Sequence, residues 1–312
     1  MIFDDLNSFG KRREPFLFIS DFKAKNIHVI PLSELKSHDI EFSIDEKYSI
    51  REHVDFLQKS TISFSEYKKK FDFVIEKIKA GETYLLNLTQ PTKIETDFTL
   101  KEIYEYANAH YKIRYKDKFV CFSPEKFIGI KNSKISTYPM KGTIDASIPD
   151  AKKIILNDAK ETAEHVMVVD LLRNDLSIVA DNVKVEKFRY ITKIEAGDRK
   201  LLQVSSHISA DVGEKWHDKI GDILRSLLPA GSISGTPKKS TLDIIDKIEG
   251  YERGYFSGVF GVYDGKSFDS AVMIRFVERT KDGYVYKSGG GITLESDAKS
   301  EYDELLSKVY LP

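Results

Sequence analysis

Two segments of this 312-residue chain carry paired carboxylates at helical spacing. Glu161 and Glu164 lie three residues apart in one predicted helix, and Glu301 and Glu304 have the same spacing in another. Residues at this spacing share a helix face. Two such faces could together hold one Mg²⁺, which takes one or two carboxylates along with waters and substrate oxygens. Spacing alone favours the simpler alternative of solvated helix faces, because glutamate is common there.

A candidate nucleophile, Lys141, lies in the segment Pro139-Met-Lys-Gly-Thr143, which is predicted to end a strand. A lysine held by a tight turn becomes nucleophilic when burial or a neighbouring cation lowers its pKa. The simpler alternative is an exposed loop lysine, which this short segment by itself favours.

Two glycine-containing segments are candidates for anion binding. Gly289, Gly290 and Gly291 follow a predicted strand, and successive glycines let backbone N–H groups approach an anion. A flexible turn is the alternative for these three residues. The segment 231–238 resembles a phosphate loop only superficially, because its spacing is wrong and it contains Pro237. A nucleotide P-loop is therefore excluded.

Other metal ligands and nucleophiles are sparse. The seven histidines include no pair at i, i+4 spacing, and Cys121 is the single cysteine of the chain. This argues against a zinc site. One cysteine cannot form an internal disulfide, which fits a reducing compartment. Cys121 lies in an apolar predicted strand, where we expect it to be part of the core.

The composition is typical of a globular protein. Hydrophobic residues make up 41% and charged residues 31% of the chain, which excludes a disordered protein. The net charge of −1 creates no overall attraction to nucleic acid or anionic lipid. The first residues lack the features of a signal peptide, and no apolar run is long enough to span a membrane. We expect a soluble, cytoplasmic enzyme.

The predicted elements place these residues in an α+β fold. Strands are predicted at 16–19, 27–30, 83–94, 258–263, 267–276 and 284–287, and a hairpin at 119–137 with its turn at 131–133. Helices are predicted from 65 to just before Gly81, at 99–110, at 160–180, between Pro237 and Gly250, and at 296–309. The strands occur in neighbouring hairpins with helices between the groups, which favours antiparallel sheets. Residues 1–64 are predicted to form a short N-terminal lead of the same fold, and residues 65–312 the catalytic domain.

Seven segments, taken together and in this order, resemble the chorismate-utilising enzymes. They are 122–127, 139–143, 161–176, 229–238, 270–275, 288–292, and Glu301-Tyr-Asp-Glu304 with Lys308. The resemblance extends from residue 65 or so to the C-terminus. It implies two antiparallel sheets that face each other, with helices outside, in αββα layers.

The resemblance also implies a magnesium-dependent reaction of chorismate. Glu164 and Glu304 would hold Mg²⁺ on the ring carboxylate, and Glu161 and Glu301 would orient its waters. Lys141 would attack C2 while a general acid, Glu125, protonates the departing C4 hydroxyl. Ammonia would then add at C4 and expel Lys141.

The residues that the resemblance assigns to substrate binding share a role in holding an anionic ring. Arg275 and the N–H groups of Gly290 and Gly291 would hold the enolpyruvyl carboxylate, and Lys308 would add positive charge. The remaining members of this set are Thr143, Ser234 and Gly289. Because Lys141 must be uncharged to attack, we expect it to be partly desolvated near Lys308 or Arg275.

Lys141 also distinguishes between members of the family. Relatives that act at C2 carry alanine in this turn, whereas component I of aminodeoxychorismate synthase commonly carries lysine. Leu85 stands where isochorismate- and salicylate-forming relatives place a lysine base, and leucine cannot accept a proton. The resemblance therefore favours amination at C4, which supplies p-aminobenzoate for folate synthesis.

One further expectation follows from the resemblance, and two positions depart from the family pattern. Ammonia would come from a separate glutamine amidotransferase, because this chain has no cysteine in a glutaminase context. Gln203 stands where members often have histidine, and Phe256 where many have tyrosine. Two alternatives remain open: component I of anthranilate synthase, and a chorismate-binding protein without catalytic activity.

Overall fold

The chain divides into two units, each assembled from separate stretches of sequence. The computed structural model describes residues 2–44, 58–196 and 199–311. The first unit contains Met1–Leu32, Glu125–Ser232 and Val259–Val272, and the second contains Ser33–Pro124, Ile233–Gly258 and Met273–Pro312. Each unit takes residues from both sides of residue 64. The division into a lead and a catalytic domain at that residue stays a prediction.

The elements are numbered along the chain. The strands are β1 (Phe16–Ser20), β2 (Ile27–Pro31), β3 (Ile40–Ile44), β4 (Gln58–Ser60), β5 (Leu85–Glu95), β6 (Tyr111–Tyr115), β7 (Phe119–Ser123), β8 (Lys126–Lys131), β9 (Lys134–Thr137), β10 (Met140–Asp145), β11 (Asp181–Ala196), β12 (Arg199–Asp211), β13 (Gly235–Thr236), β14 (Val259–Tyr263), β15 (Phe268–Val272), β16 (Phe276–Thr280) and β17 (Gly283–Ile292). The helices are α1 (Ile2–Arg12), α2 (Phe64–Lys79), α3 (Leu100–Tyr106), α4 (Ala151–Asn157), α5 (Ala159–Val179), α6 (Ile220–Leu227), α7 (Gly231–Ser234), α8 (Lys238–Ile248) and α9 (Ala298–Ser307). Short 3₁₀ segments lie at Leu32–Glu34 and Glu214–Lys219.

Each unit is built on its own antiparallel sheet. In the first unit the strand order is β10-β12-β9-β8-β15-β14-β1-β2, and β11 pairs with β12. In the second unit it is β13-β5-β17-β16-β7-β6-β3, and β4 pairs with β5. The predicted α+β class with two antiparallel sheets and helices is confirmed. Among the described helices, none is long and apolar enough to cross a membrane.

The N-terminal residues supply an interior strand of the first sheet. β1 pairs with β2 on one side and with β14 on the other. Its apolar residues, Phe16 to Ile19, are fully buried. The strands predicted at 16–19 and 27–30 are therefore confirmed, and β1 is part of the core.

The clearest helical pattern, that of α2, is also confirmed. Ser63 accepts a hydrogen bond from the N–H of Glu66, and Glu66 bonds back to Ser63 in a capping box. The apolar stripe of α2 is buried at Tyr67, Phe71, Val74 and Ile78. Gly81, beyond the C-cap, has a φ of 74°, which glycine adopts without steric cost.

Two predicted ranges are too long, because each crosses from one unit to the other, although the hairpin turn predicted at 131–133 is confirmed between β8 and β9. In the range 119–137, β7 pairs with β6 and β16, whereas β8 and β9 form the hairpin in the first sheet. In the range 267–276, β15 ends at Val272 and β16 begins at Phe276, in different sheets. An apolar run indicates only that its residues are buried. Residues on both sides of the point where the chain passes from one sheet to the other are buried, so the pattern does not reveal that point. The helix predicted at 99–110 is also too long, since α3 ends at Tyr106.

Two glycines allow α1 to approach the segment 214–227 closely. A Cβ on Gly10 would lie 1.9 Å from the carbonyl oxygen of His217. A Cβ on Gly221 would lie 1.8 Å from the carbonyl oxygen of Phe3. Both distances are far below van der Waals contact, so the approach depends on the absence of side chains. Asn7 adds a polar contact, since its Oδ1 accepts from the N–H of Gly221 at 2.8 Å.

We predict that Gly10→Ala lowers the free energy of unfolding by about 1–3 kcal/mol, because the added methyl group forces α1 away from His217. Ser8→Ala, at an exposed position of the same helix, is the matched control and should change stability by less than about 0.5 kcal/mol. Urea denaturation of both variants measures the difference. Equal stability of the two variants would show that α1 does not dock as described.

Candidate active site

Lys141 lies inside a strand, not in a turn after one. β10 pairs with β12 through Met140 and Ser205, and through Thr143 and Gln203, and the register shifts between these pairs. Gly142, within the shift, has a φ of 85°. Such a bulge redirects the side chains of its strand and is common beside active sites. The prediction of a turn at this point is corrected to a bulge, in which Lys141 is half-buried and Thr143 exposed.

The face of α5 that carries the predicted carboxylates lies against this bulge. A Cβ on Gly142 would lie 3.1 Å from Oε2 of Glu161. Asp158 caps the helix by accepting from the N–H of Glu161 at 2.8 Å. Glu164, one turn further along, is buried, with Nζ of Lys160 at 3.9 Å. Within the first unit the structure thus brings the Lys141 segment and Glu161 together.

His165, which connects α5 to the same strand segment, was not among the residues predicted from the sequence. Its ring is fully buried, and Nε2 lies 2.7 Å from Oγ of Ser206. The N–H of Ser206 donates to the carbonyl of Pro139, just before β10, at 3.0 Å. Burial, and next the charge of Arg189, lowers the pKa of His165 to about 4, so the ring is neutral at pH 7. A sequence signal existed: His165 lies in the buried stripe of α5 at i, i+3, i+4 and i+7 with Val168, Val169 and Leu172.

The predicted general acid, Glu125, belongs to the same unit. It directly precedes β8, and its side chain is half-buried. Its backbone carbonyl accepts from the N–H of Val272 at 3.2 Å, which extends the pairing of β8 with β15. In the strand order of the first sheet, β8 is separated from β10 by β9 and β12.

In the second unit the two glutamates of α9 have different surroundings. Glu301 is buried, and its Oε1 accepts from Oγ of Ser296 at 2.8 Å. A Cβ on Gly290 would lie 3.1 Å from Oε2 of Glu301. The Glu304 side chain is 52% exposed and pairs with Nζ of Lys308 at 2.7 Å. Glu301 therefore faces the glycine strand, and Glu304 is accessible to solvent.

The three glycines lie within β17, not after it, which corrects the sequence prediction. Gly289, Gly290 and Gly291 pair with Thr89, Leu88 and Asn87 of β5. Residues of an antiparallel strand turn their backbone groups alternately toward and away from the partner.

Two contacts of β5 fix which glycines face which way. The N–H of Thr89 donates to Oε1 of Glu249, and the carbonyl of Asn87 accepts from Nη2 of Arg253, so both turn away from β17. The residue between them, Leu88, consequently bonds with Gly290. The N–H groups of Gly289 and Gly291 point away from β5. The prediction that the N–H of Gly290 holds an anion is therefore corrected: this N–H faces β5, and the N–H groups that face away from β5 are those of Gly289 and Gly291.

Lys308 and Arg275 are held next to this glycine strand. Nζ of Lys308 donates to the carbonyl oxygen of Gly289 at 2.9 Å. Nη1 of Arg275 donates to the carbonyl oxygen of Lys308 at 3.1 Å, and its guanidinium lies 4.8 Å from the centre of the Tyr310 ring. Three of the residues predicted to bind substrate are therefore neighbours within the second unit. Ser234, also in this unit, is fully buried.

The carboxylates predicted to bind Mg²⁺ occur as a pair on each of two helices. In residues 2–44, 58–196 and 199–311, no group of three or more His, Cys, Asp or Glu side chains is placed to hold a metal ion. Each pair supplies only oxygen donors, and Glu161 and Glu301 each lie against a glycine. This donor set fits Mg²⁺, which needs one or two carboxylates and retains waters. The magnesium site stays a prediction.

We predict that Gly142→Ala destabilises the protein more than Gly81→Ala. Both glycines have positive φ, but an added Cβ at position 81 meets no atom within 4 Å, whereas at position 142 it meets Glu161. The control should lose about 1–2 kcal/mol from backbone strain alone. Gly142→Ala should lose about 1 kcal/mol more. Thermal and urea denaturation measure both losses, and equal values would show that Glu161 does not restrict the bulge.

Comparison with known proteins identifies the family. A sequence profile described as chorismate binding enzyme matches residues 19–311. A PabA-like protein of Pasteurella multocida is 46% identical over 98% of this chain and 96% of its own length. Aminodeoxychorismate synthase component 1 of Salmonella typhimurium is 32% identical over 80% of this chain. This chain covers 57% of the Salmonella protein.

Solved structures agree on the fold. The menaquinone-specific isochorismate synthase of Escherichia coli superposes with a TM-score of 0.75 at 15% identity, over 97% of this chain and 79% of that one. Anthranilate synthase component I of Streptococcus pneumoniae superposes with a TM-score of 0.70 at 23% identity, over 93% of this chain and 70% of that one. On the match to the family profile and the identity with its relatives, this chain belongs to the chorismate binding enzyme family.

Proposed function

We propose that this protein aminates chorismate at C4 to give 4-amino-4-deoxychorismate. The observation that carries the proposal is Lys141, a half-buried lysine in the bulge of β10, whose neighbour Gly142 lies against Glu161. Relatives named aminodeoxychorismate synthase component 1, at 30% and 32% identity over 80% of this chain, support it.

Lys141 is assigned the role of nucleophile. As the neutral amine it forms a bond from Nζ to C2, the ring double bonds shift, and the C4–O bond breaks. Glu125 donates a proton to the departing hydroxyl, which leaves as water. Ammonia then forms the C4–N bond, the double bonds shift back, and the C2–N bond to Lys141 breaks. The ammonium group formed at C4 returns one proton to Glu125, so chorismate and ammonia become 4-amino-4-deoxychorismate and water.

The enolpyruvyl carboxylate is assigned to the second unit. Arg275 supplies a guanidinium whose position is held by the carbonyl of Lys308 and the ring of Tyr310. Gly289 and Gly291 direct their N–H groups to the strand edge away from β5, and an N–H pair of this kind can bind a carboxylate oxygen. Ser234 and Thr143 complete the proposed substrate-binding set, and Lys308 adds positive charge.

Leu85 supports amination over hydration. It begins β5 and is 1% exposed, with no group that accepts a proton. Activation of water at C2 needs such a base. Phe256, buried at 3% exposure, keeps an aromatic ring where many relatives have tyrosine but supplies no hydroxyl group.

Magnesium, when bound, would neutralise the ring carboxylate of the substrate. The carboxylates assigned to it are Glu164 and Glu304, and those assigned to its waters are Glu161 and Glu301. The ammonia is assigned to a separate glutamine amidotransferase, since the names of the relatives refer to PabA-like proteins and to component 1. We place the protein in the cytoplasm, where its buried Cys121 would remain reduced.

We predict that the purified protein converts chorismate, Mg²⁺ and ammonium into a product that added aminodeoxychorismate lyase turns into p-aminobenzoate. Lys141→Ala should lower the rate on the order of 10³-fold or more, because the covalent step is lost. Lys134→Ala, at an exposed lysine of β9 in the same sheet, is the control and should retain the wild-type rate. Chromatography with mass detection identifies the products.

Two outcomes of this assay would contradict the proposal. Anthranilate from the wild-type protein would support the second candidate, anthranilate synthase, which a relative of that name in Schizosaccharomyces pombe favours at 30% identity over 82% of this chain. Unchanged activity of Lys141→Ala would remove the lysine nucleophile from the mechanism.

We predict that Mg²⁺ raises the melting temperature of the wild-type protein and that Glu164→Gln abolishes this rise, because one ligand oxygen and its charge are lost. Asp170→Asn, at an exposed position of the same helix, is the matched control and should keep the full response. Titrations with Mg²⁺ followed by thermal denaturation measure both variants. An unchanged response in Glu164→Gln would exclude Glu164 as a ligand.

A further inference from the structure

A buried ion pair in the second unit has no part in the chemistry described above. Glu249 follows α8, and Arg253 lies four residues later, with both side chains 1% exposed. Nε of Arg253 donates to Oε2 of Glu249 at 2.8 Å, and Nη2 donates to Oε1 at 2.6 Å. Removing two charges from water costs several kcal/mol per ion. Because of this desolvation cost, the ion pair is a candidate for a role other than stabilising the fold.

The remaining N–H groups of the guanidinium donate to the backbone of β5 and to the backbone next to Ser234, a predicted substrate contact. Nη2 donates to the carbonyl of Asn87 at 2.6 Å. Nη1 donates to the carbonyl of Ile233, adjacent to Ser234, at 3.1 Å, and to Oγ of Ser257 at 3.4 Å. Although burial opposes the charged form, the Glu249 carboxylate raises the pKa of Arg253 above its ordinary value. Arg253 therefore remains charged and connects the Ser234 segment to β5.

The carboxylate holds the same strand two residues further on. Oε1 of Glu249 accepts from the N–H of Thr89 at 2.9 Å and from its Oγ1 at 2.7 Å. The hydroxyl group of Tyr251 lies 2.5 Å from Oγ1 of Thr89. The carbonyl of Asn87 and the N–H of Thr89, which turn away from β17, are thus held by the two members of the ion pair.

The ion pair lies along an edge of β5 that no described strand covers. On the side of β5 opposite β17, β13 pairs only with Leu85 and Leu86, and β4 pairs only with 93–95. In the part of the chain that the structure describes, no strand covers β5 between these two points. Unpaired backbone groups in this interval would be costly if buried. Glu249 and Arg253 supply the acceptor and the donor that a neighbouring strand would otherwise provide.

The interval left without a strand lies directly opposite the glycines. Asn87 faces Gly291, and Thr89 faces Gly289. A run of glycines has high backbone freedom and no side chains to hold it, so its position depends on the strand with which it pairs. Lys287, two residues earlier in β17, donates from Nζ to the carbonyl of Arg253 at 2.9 Å and anchors the other end of the same network.

We infer that Glu249 and Arg253 are positioning residues, which hold the glycine strand and the Ser234 segment in the geometry that binds the enolpyruvyl carboxylate. The inference rests on the proposed function. It assigns the ion pair to binding: its loss weakens affinity for chorismate, while the groups that form and break bonds stay unchanged.

The test compares Arg253→Lys with Arg114→Lys. Arg114 is also a buried arginine of the second unit, bound to Asp39 and Glu41, but it lies on β6, three strands from β17. We expect Arg253→Lys to raise the KM and the Kd for chorismate at least tenfold, which corresponds to about 1.4 kcal/mol, with kcat changed less than threefold. Arg114→Lys should lose stability without a change in KM. Equal KM values in the two variants would overturn the inference.

Hydrogen exchange provides a readout that does not involve chorismate. Arg253→Lys should increase the amide exchange of peptides covering 85–95 and 283–292, whereas Arg114→Lys should leave these peptides protected. Unchanged exchange at 283–292 in Arg253→Lys would overturn the inference. If the wild-type protein bound no chorismate, the proposed function would fall, and the exchange result would still decide whether the pair positions the strand.

Glu249→Gln tests the pair if Arg253→Lys does not fold. The amide oxygen can still accept from Thr89, but the charge that holds the guanidinium is lost. We expect the same direction of change in KM and in exchange at 283–292, with a smaller size. Wild-type values for both quantities in a folded Glu249→Gln protein would overturn the inference.

Discussion

In each unit a glutamate carboxylate lies against a glycine of a strand, and the arrangement of the candidate site depends on this close contact. A Cβ would stand 3.1 Å from Glu161 at Gly142, and 3.1 Å from Glu301 at Gly290. A Cβ at either position would push the carboxylate back by a few tenths of an ångström, so glycine lets the helix bring its carboxylate closest to the backbone. The contact therefore joins a helix that carries acidic groups to a strand that carries Lys141 in one unit, and to the glycine strand in the other.

Polar groups in the interior hold the strands that these contacts need. In the first unit, the neutral ring of His165 bonds to Ser206, whose N–H bonds to the segment before β10. In the second unit, the ion pair of Glu249 and Arg253 binds the edge of β5 where no described strand covers it. Both networks supply hydrogen-bond partners to buried polar groups, which would otherwise be costly to bury.

Much of the fold was predictable from local patterns. The stripe of α2, the long helix α5 and the C-terminal helix α9 each have the period of a helix with one buried face, and β1 is a short apolar run. The errors occur at 124 and 273–275, where a continuous pattern crosses between units, and at Gly289–Gly291, where glycines suggested a turn but pair with β5. Glycine marks a lack of side chains, which suits a turn and a close approach equally well.

The sequence by itself determined which residue types are present and in what order: the two Glu pairs, the lysine before a glycine at 141–142, and Arg275. Together these were enough to indicate the family. Tertiary structure alone decided that Glu301 is buried and Glu304 exposed, that Lys141 lies in a bulge, and that Arg253 holds the edge of β5. The physical reason is that periodicity reports local hydrogen bonding and the burial of one face. Partners distant in sequence, such as Asn87 and Arg253, are selected only when the whole sheet is paired.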